Sequence, residues 1–175
     1  MEKKVFGYPK YDDNGEMILT TYENEYRDML MDIRVYKLEK NQTKIFTSDD
    51  EEIAALLLNG KIEINVDGIE KVVSRKSVFL EGPYAGHVSH SKIISVKALE
   101  ETEILVQKTK NKVTFNSKLY TPEDAPWKYS SQGWYGNVAN RRVNTIIDHD
   151  IEPKSNMVLG EVLNDPGNWS GYLPH

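Results

Sequence analysis

The stretch IAALLLNGKIEINVDGIEKVV, residues 53–73, has the pattern of consecutive antiparallel strands. Asp67-Gly68 sits between Ile62, Ile64 and Val66 on one side and Val72 and Val73 on the other. Asp-Gly supplies the positive φ angles of a type I′ turn, which joins two twisted antiparallel strands. Asn59-Gly60 carries the same signal eight residues earlier, between Leu58 and Ile62. Ile62, Ile64 and Val66 alternate with Lys61, Glu63 and Asn65, the period of a strand with one buried face. Two consecutive hairpins are therefore expected, with strands at 53–58, at 61–66 and after Gly68. Ser48 and Glu51 have the spacing of a helix capping box, which offers a short helix through DDEEIAALLL as the competing reading. The strand is preferred, because the Asn-Gly turn needs a partner on its N-terminal side and the segment is too short for a stable isolated helix.

On either side of this stretch, strand-like runs recur at 31–38, 77–80, 92–99, 103–108 and 112–115, and again at 142–147 and 157–163. No long amphipathic helix interrupts them. Short strands at close spacing indicate an all-β sandwich or barrel. The stretch 116–140 breaks the rhythm with two prolines, two glycines and the aromatic group Trp127, Tyr129, Trp134 and Tyr135. A structureless connection of that length is unusual inside one compact unit. The expected organisation is a sandwich over 1–120, a linker over 121–140, and the opening strands of a second unit over 141–175.

The chain has 175 residues, a net charge of −5 and no cysteine. The acidic balance disfavours nucleic acid as a partner, since phosphate binding needs a basic face. Disulfides, thiolate metal sites and cysteine nucleophiles are excluded. The N-terminal MEKKVFGYPKYDDNGEM lacks an apolar signal region, and the longest apolar run, IAALLL, is far short of a membrane span. A soluble, cytoplasmic protein without a membrane partner is expected.

The sequence from 141 onward, RRVNTIIDHDIEPKSNMVLGEVLNDPGNWSGYLPH, resembles the central segment of 5-deoxy-glucuronate isomerases of bacterial myo-inositol catabolism. The match runs through Arg141, Val143 and Ile146, then Gly160-Glu161-Val162, then Gly167 to His175. The family continues as Gly-Asn-Trp-Ser-Ser-Tyr-Pro-Pro-His-Lys-His-Asp, so Gly171 stands for a serine and Leu173 for a proline. The earlier GKIEINVDGIEKVVSRKSVF is also similar to the family's first half. The resemblance implies a bicupin: one cupin jelly roll, then the first strands of a second cupin. In the family only the second cupin holds a divalent metal, through two histidines of a His-x-His pair, a glutamate and a later histidine. His175 would be the first of these, and the others have no counterpart. No cofactor is therefore expected in this chain, and no isomerase activity from it alone. The implied full-length activity converts 5-deoxy-glucuronate to 5-dehydro-2-deoxy-gluconate. The alternatives are a non-catalytic sugar-binding or assembly cupin, and a fragment of a 5-keto-4-deoxyuronate isomerase.

Among individual side chains, Arg141 and Arg142 can grip a carboxylate bidentately, which a uronic acid requires. Arg141 occupies the family's arginine position and Trp169 lies in its closing motif, so these two are the candidate substrate-binding residues. Trp127 and Trp134 are read as packing. His87 and His90 follow a Gly82-Pro83 turn but lack upstream histidines, and are read as surface or structural. Asp148-His149-Asp150 is read as a solvated loop. Glu161, if it faces inward, needs a cationic or hydrogen-bonding partner. A partly built second sandwich leaves strand edges open, so self-association into a homo-oligomer is expected.

Overall fold

The structure is a computed structural model and describes residues 8–171. Its first eight strands are β1 (Glu16–Thr20), β2 (Met31–Leu38), β3 (Thr43–Thr47), β4 (Glu51–Val66), β5 (Ile69–Arg75), β6 (Ala85–Val88), β7 (Ile93–Ala98) and β8 (Thr102–Lys110). The short strand β9 (Lys118–Tyr120) follows. One sheet runs β1-β2-β8-β4-β6-β9, and a second runs β3-β7-β4-β5, so β4 belongs to both. All pairings are antiparallel. Two facing sheets threaded in this order are a jelly roll of the cupin type. The expected all-β cupin sandwich is what the chain forms.

The sixteen-residue strand β4 makes the architecture possible. The expected hairpin at Asn59-Gly60 does not form; the chain passes straight through it. Leu57 pairs with Ile104, but Asn59 pairs with Glu103, so one residue of β4 bulges out. From Gly60 onward β4 pairs with β5 instead, beginning at Arg75. Gly60 has φ 104°, and a Cβ there would strike Thr102 Oγ1 and lie 2.7 Å from the Glu101 carbonyl oxygen. The glycine is thus used for a bulge that bends one strand from sheet to sheet. Asp67-Gly68, by contrast, forms the expected tight turn, with Val66 paired to Ile69 and φ of 50° and 96°.

The bulge also switches the face β4 presents. Before it, Ile53, Ala55 and Leu57 enter the core between the sheets; after it, Ile62, Ile64 and Val66 do. Val88, Ile94, Val96, Ile104 and Val106 fill the same space. Tyr36 of β2 meets Phe46 of β3 across the sandwich, with ring centroids 5.3 Å apart. Each fully buried Val, Ile or Leu side chain here contributes roughly 1.5–3 kcal/mol.

Two expected strands are not strands. Residues 77–80 form a turn, because the Ser77 carbonyl accepts from the backbone of Leu80 and Glu81 while its hydroxyl accepts from Phe79. Residues 112–115 leave the sheet where Asn111 Oδ1 caps the Val113 amide.

A second, three-stranded sheet follows: β10 (Lys128–Ser130), β11 (Arg141–Ile147) and β12 (Leu159–Leu163), in that order. Part of the 121–140 segment is therefore ordered as β10. This sheet packs on the outer face of the first jelly-roll sheet. Ala54, Leu56 and Ala85 meet Ile146, Ile147, Met157 and Leu159 there, around Tyr120 and Ala125. The continuous run at 53–57 is buried because both its faces are covered.

Candidate functional site

The junction between jelly roll and second sheet is polar at two points. At the first, Arg75 is fully buried, and all five of its guanidinium N–H groups have acceptors. Nη1 and Nη2 reach the Glu161 carboxylate at 2.7 and 2.8 Å. Nη1 also donates to the Leu57 carbonyl at 3.0 Å, while Nε and Nη2 both donate to the Glu81 carbonyl at 3.3 and 2.9 Å. Glu161 accepts further from Asn144 Nδ2 at 2.9 Å, and its own amide donates to Asn144 Oδ1 at 3.0 Å. The partner that Glu161 required is thus Arg75, from the other unit. A planar fork meeting a carboxylate bidentately is the geometry that makes a buried pair tolerable.

At the second point Glu52, also fully buried, pins the loop between β11 and β12. Its Oε1 accepts from the Asn156 amide at 2.7 Å and the Ser155 hydroxyl at 3.3 Å. Its Oε2 accepts from Asn111 Nδ2 at 3.2 Å. His87 Nε2 lies 3.5 Å from the same oxygen, and the imidazole stacks on Phe115 with centroids 4.6 Å apart. His87 is paired with Ala54 on the outer face, whereas its neighbour Val88 points into the sandwich. His87 is therefore a buried structural residue between the units, outside the jelly-roll interior. His90 is half-buried, with Ser91 and Thr114 as its neighbours. The Asp148-His149-Asp150 segment is a turn, in which Asp148 Oδ1 caps the Ile151 amide.

Among the described residues the jelly-roll interior is lined by aliphatic side chains with Tyr36 and Phe46. Among the described residues no group of three or more histidine, aspartate or glutamate side chains is arranged to hold a metal ion. His175 lies outside the described residues.

The substrate-binding candidates lie at one corner of the second sheet. Arg141 opens β11 opposite Ser130, half-buried, with Nη1 3.3 Å from the Ala139 carbonyl. Asn144 and Glu161, directly opposite each other, face the jelly roll. By alternation Arg141, Val143 and Val162 form the opposite face, and Val162 is exposed. Trp169 is brought to the same corner: its amide donates to the Val138 carbonyl at 2.7 Å, and Asn168 Nδ2 to the Asn140 carbonyl at 2.9 Å. Arg142 lies over the Trp127 ring, 5.8 Å from its centroid. Trp134, expected to pack, is instead 55 % exposed. A depression of about 710 Å³, lined by residues including Tyr11, Asp12, Lys37, Glu39, Lys44 and Glu101, shares no residue with this corner.

Neither Arg75 nor Glu52 stands out by pattern, since both lie in ordinary charged stretches, SRKS and SDDEE. The sequence points to this junction through Glu161, a carboxylate on a strand that needs a partner if it faces inward.

A jelly roll with a second β-sheet bound to its outer face, through the buried Arg75–Glu161 ion pair and the hydrogen bonds of Glu52, defines a cupin-class protein. Residues 7–175 match the KduI/IolB family, and the chain belongs to it. Two relatives bear the name 5-deoxy-glucuronate isomerase. The one from Geobacillus kaustophilus is 29% identical over 93% of this chain and 58% of its own length. The one from Geobacillus thermodenitrificans is 29% identical over 100% of this chain and 63% of its own length. The chain thus spans about three-fifths of the curated relatives it matches. An IolB-like protein from Salmonella typhimurium has the same fold, with a TM-score of 0.69 at 17% identity over 79% of this chain and 52% of that one. A putative glyoxylate-induced protein from Pseudomonas aeruginosa superposes with a TM-score of 0.60 at 8% identity, over 89% of this chain and 59% of its own. Among the described residues no helix is long and apolar enough to cross a membrane.

Proposed function

We propose that this chain supplies the sugar-acid-binding part of a 5-deoxy-glucuronate isomerase, with Arg141 holding the substrate carboxylate and Trp169 lying against its carbon skeleton. The observation that carries this reading is the family match over residues 7–175, whose relatives bear that enzyme's name. The guanidinium supports it chemically, because a uronic acid offers the planar carboxylate that arginine grips in two places. The reaction itself is an aldose–ketose interconversion: a proton moves between neighbouring carbons as the carbonyl shifts the other way. No step of it is assigned to the described residues, which contain no metal-ligand set. The chain by itself binds the substrate without turning it over. Myo-inositol catabolism, a cytoplasmic setting and a homo-oligomeric state go with this reading.

The test is purified 1–175 mixed with 5-deoxy-glucuronate, followed by proton NMR for product and by tryptophan emission for binding. Saturable emission change without product is expected. Turnover at the rate of the Geobacillus kaustophilus relative overturns the lack of activity, and a flat emission titration overturns the binding role.

A further inference from the structure

We propose that the loop 131–137 presents Trp134 and Tyr135, together with Trp169, as an aromatic shelf that stacks on the C–H face of a sugar acid. The proposal rests on the sugar-acid reading of Arg141 above and gives that site its second wall. The three rings form one contiguous group. Tyr135 is 5.7 Å from Trp169 and 6.4 Å from Trp134, centroid to centroid. Their exposures are 55 % for Trp134, 55 % for Tyr135 and 46 % for Trp169. Large aromatic rings left half in solvent, side by side, are an unusual use of apolar surface, and such groups mark binding sites.

The backbone beneath them is held in conformations that L-residues avoid. Ser131, Tyr135 and Asn137 all have positive φ, at 57°, 52° and 73°. A bulky residue such as tyrosine is a genuine outlier there. Burial does not compensate for that strain, because no residue of the 3₁₀ segment Trp134–Asn137 is buried. Strain of this kind persists where the surroundings over-determine it, and it concentrates at ligand clamps. Here the over-determination is visible. Asn137 Oδ1 accepts the Gly133 amide at 3.0 Å, the Trp134 amide donates to the Ser131 carbonyl at 3.2 Å, and the Trp169 amide ties the loop's exit at Val138. The shelf is pre-organised.

Its position selects the ligand. The loop lies between the paired residues Ser130 and Arg141, so its backbone returns to the start of β11, where Arg141 stands. In a chain of net charge −5, Arg141 at the end of that loop is a local positive charge. An aromatic face attracts the slightly positive C–H side of a sugar, while a guanidinium takes the carboxylate. A hexuronate carries both features on one small molecule.

All three tryptophans of the chain, Trp127, Trp134 and Trp169, belong to this region, so intrinsic emission reports on it directly. The experiment titrates the full chain with D-glucuronate and with D-glucose. Glucuronate is expected to change the emission saturably and to bind more tightly than glucose. Tyr135→Gly removes a ring while suiting the positive φ, and it should weaken glucuronate about fivefold, with Tyr135→Phe like wild type. Trp134→Ala, read by calorimetry, should do the same. Arg141→Met should abolish the preference for glucuronate over glucose. If the Tyr135 and Trp134 variants bind as wild type while Arg141→Met does not, the shelf is overturned and the sugar-acid reading stands. If glucose and glucuronate bind equally, insensitive to Arg141→Met but weakened by Tyr135→Gly, the shelf stands and the carboxylate role falls. Rings that instead hold two chains together in sedimentation overturn the shelf, and no response to either sugar overturns both.

Discussion

Replacing Glu161 with alanine tests whether the Arg75 pair is what fastens the second sheet to the jelly roll. The substitution removes two charge-assisted hydrogen bonds of 2.7 and 2.8 Å from a guanidinium with no solvent exposure. The three remaining bonds, to the Leu57 and Glu81 carbonyls, hold the arginine in place, so it cannot swing out to water. Stranding a buried charge in this way costs about 3–5 kcal/mol. For a chain of this size that is a fall in Tm on the order of 10 °C. Arg75→Met costs a similar amount, since the Leu57 and Glu81 carbonyls then lose donors worth roughly 1 kcal/mol each. The double variant Arg75→Met/Glu161→Leu should be less destabilised than the sum of the two singles by about 2 kcal/mol or more, because no charge is left unpaired.

Urea denaturation of the four proteins, followed by far-UV circular dichroism, gives the coupling directly. Tryptophan emission gives the location, because all three tryptophans lie between 127 and 169, on the second sheet and its loops. In Glu161→Ala the emission transition should come at lower urea than the dichroism, which is weighted to the larger jelly roll. Additivity within about 0.5 kcal/mol, or coincident transitions in Glu161→Ala, would show that the Arg75 pair does not fasten the second sheet.

Gly60→Ala should destabilise the chain by about 3 kcal/mol or more, from a φ of 104° and a Cβ driven into Thr102 and the Glu101 carbonyl; chemical denaturation with full retention of stability would show that the bulge can relax. Glu52→Ala leaves the Asn156 amide and Asn111 without their carboxylate, at roughly 1–3 kcal/mol for each unmet group, and should release the loop around Lys154. Trypsin should then cut after Lys154 faster than in wild type, and an unchanged digestion pattern would argue that the loop is held otherwise. The Asp67 carboxyl is held below its ordinary value by hydrogen bonds from Lys92 and Ser117. A lowered carboxyl contributes stability above the unfolded value, here 3.8, and loses it as pH falls through the folded value. Asp67→Asn, which keeps a side chain suited to the positive φ, should therefore flatten the dependence of Tm on pH below about 4. A wild-type slope in that range would reject the assignment.

The two Asx-Gly turns show what local sequence can and cannot decide. Both present the same residue pair between apolar strands, yet Asp67-Gly68 closes a hairpin and Asn59-Gly60 bends a single strand. Alternation does not separate the cases. A two-residue hairpin at 59–60 would place Leu57 opposite Ile62, putting 53, 55 and 57 on the same face as 62, 64 and 66. The bulge gives those six residues the same common core. What decides is that the first half of β4 already has neighbours on both sides, β8 and β6, contributed by residues 102–110 and 85–88. That choice is made by distant strands. Strands β9 and β10, three residues each, are too short to show a period at all. The site divides the same way. Arg141 and Trp169 are candidates because they sit in a recognisable motif. The strained loop at Tyr135 has no comparable mark, because its dihedrals contradict the residue's own preference. Glu161 shows the boundary most sharply. A carboxylate facing inward from a strand needs a cationic or hydrogen-bonding partner. Which partner answers is set 86 residues earlier in the chain, by the register that delivers Arg75 to the end of β5.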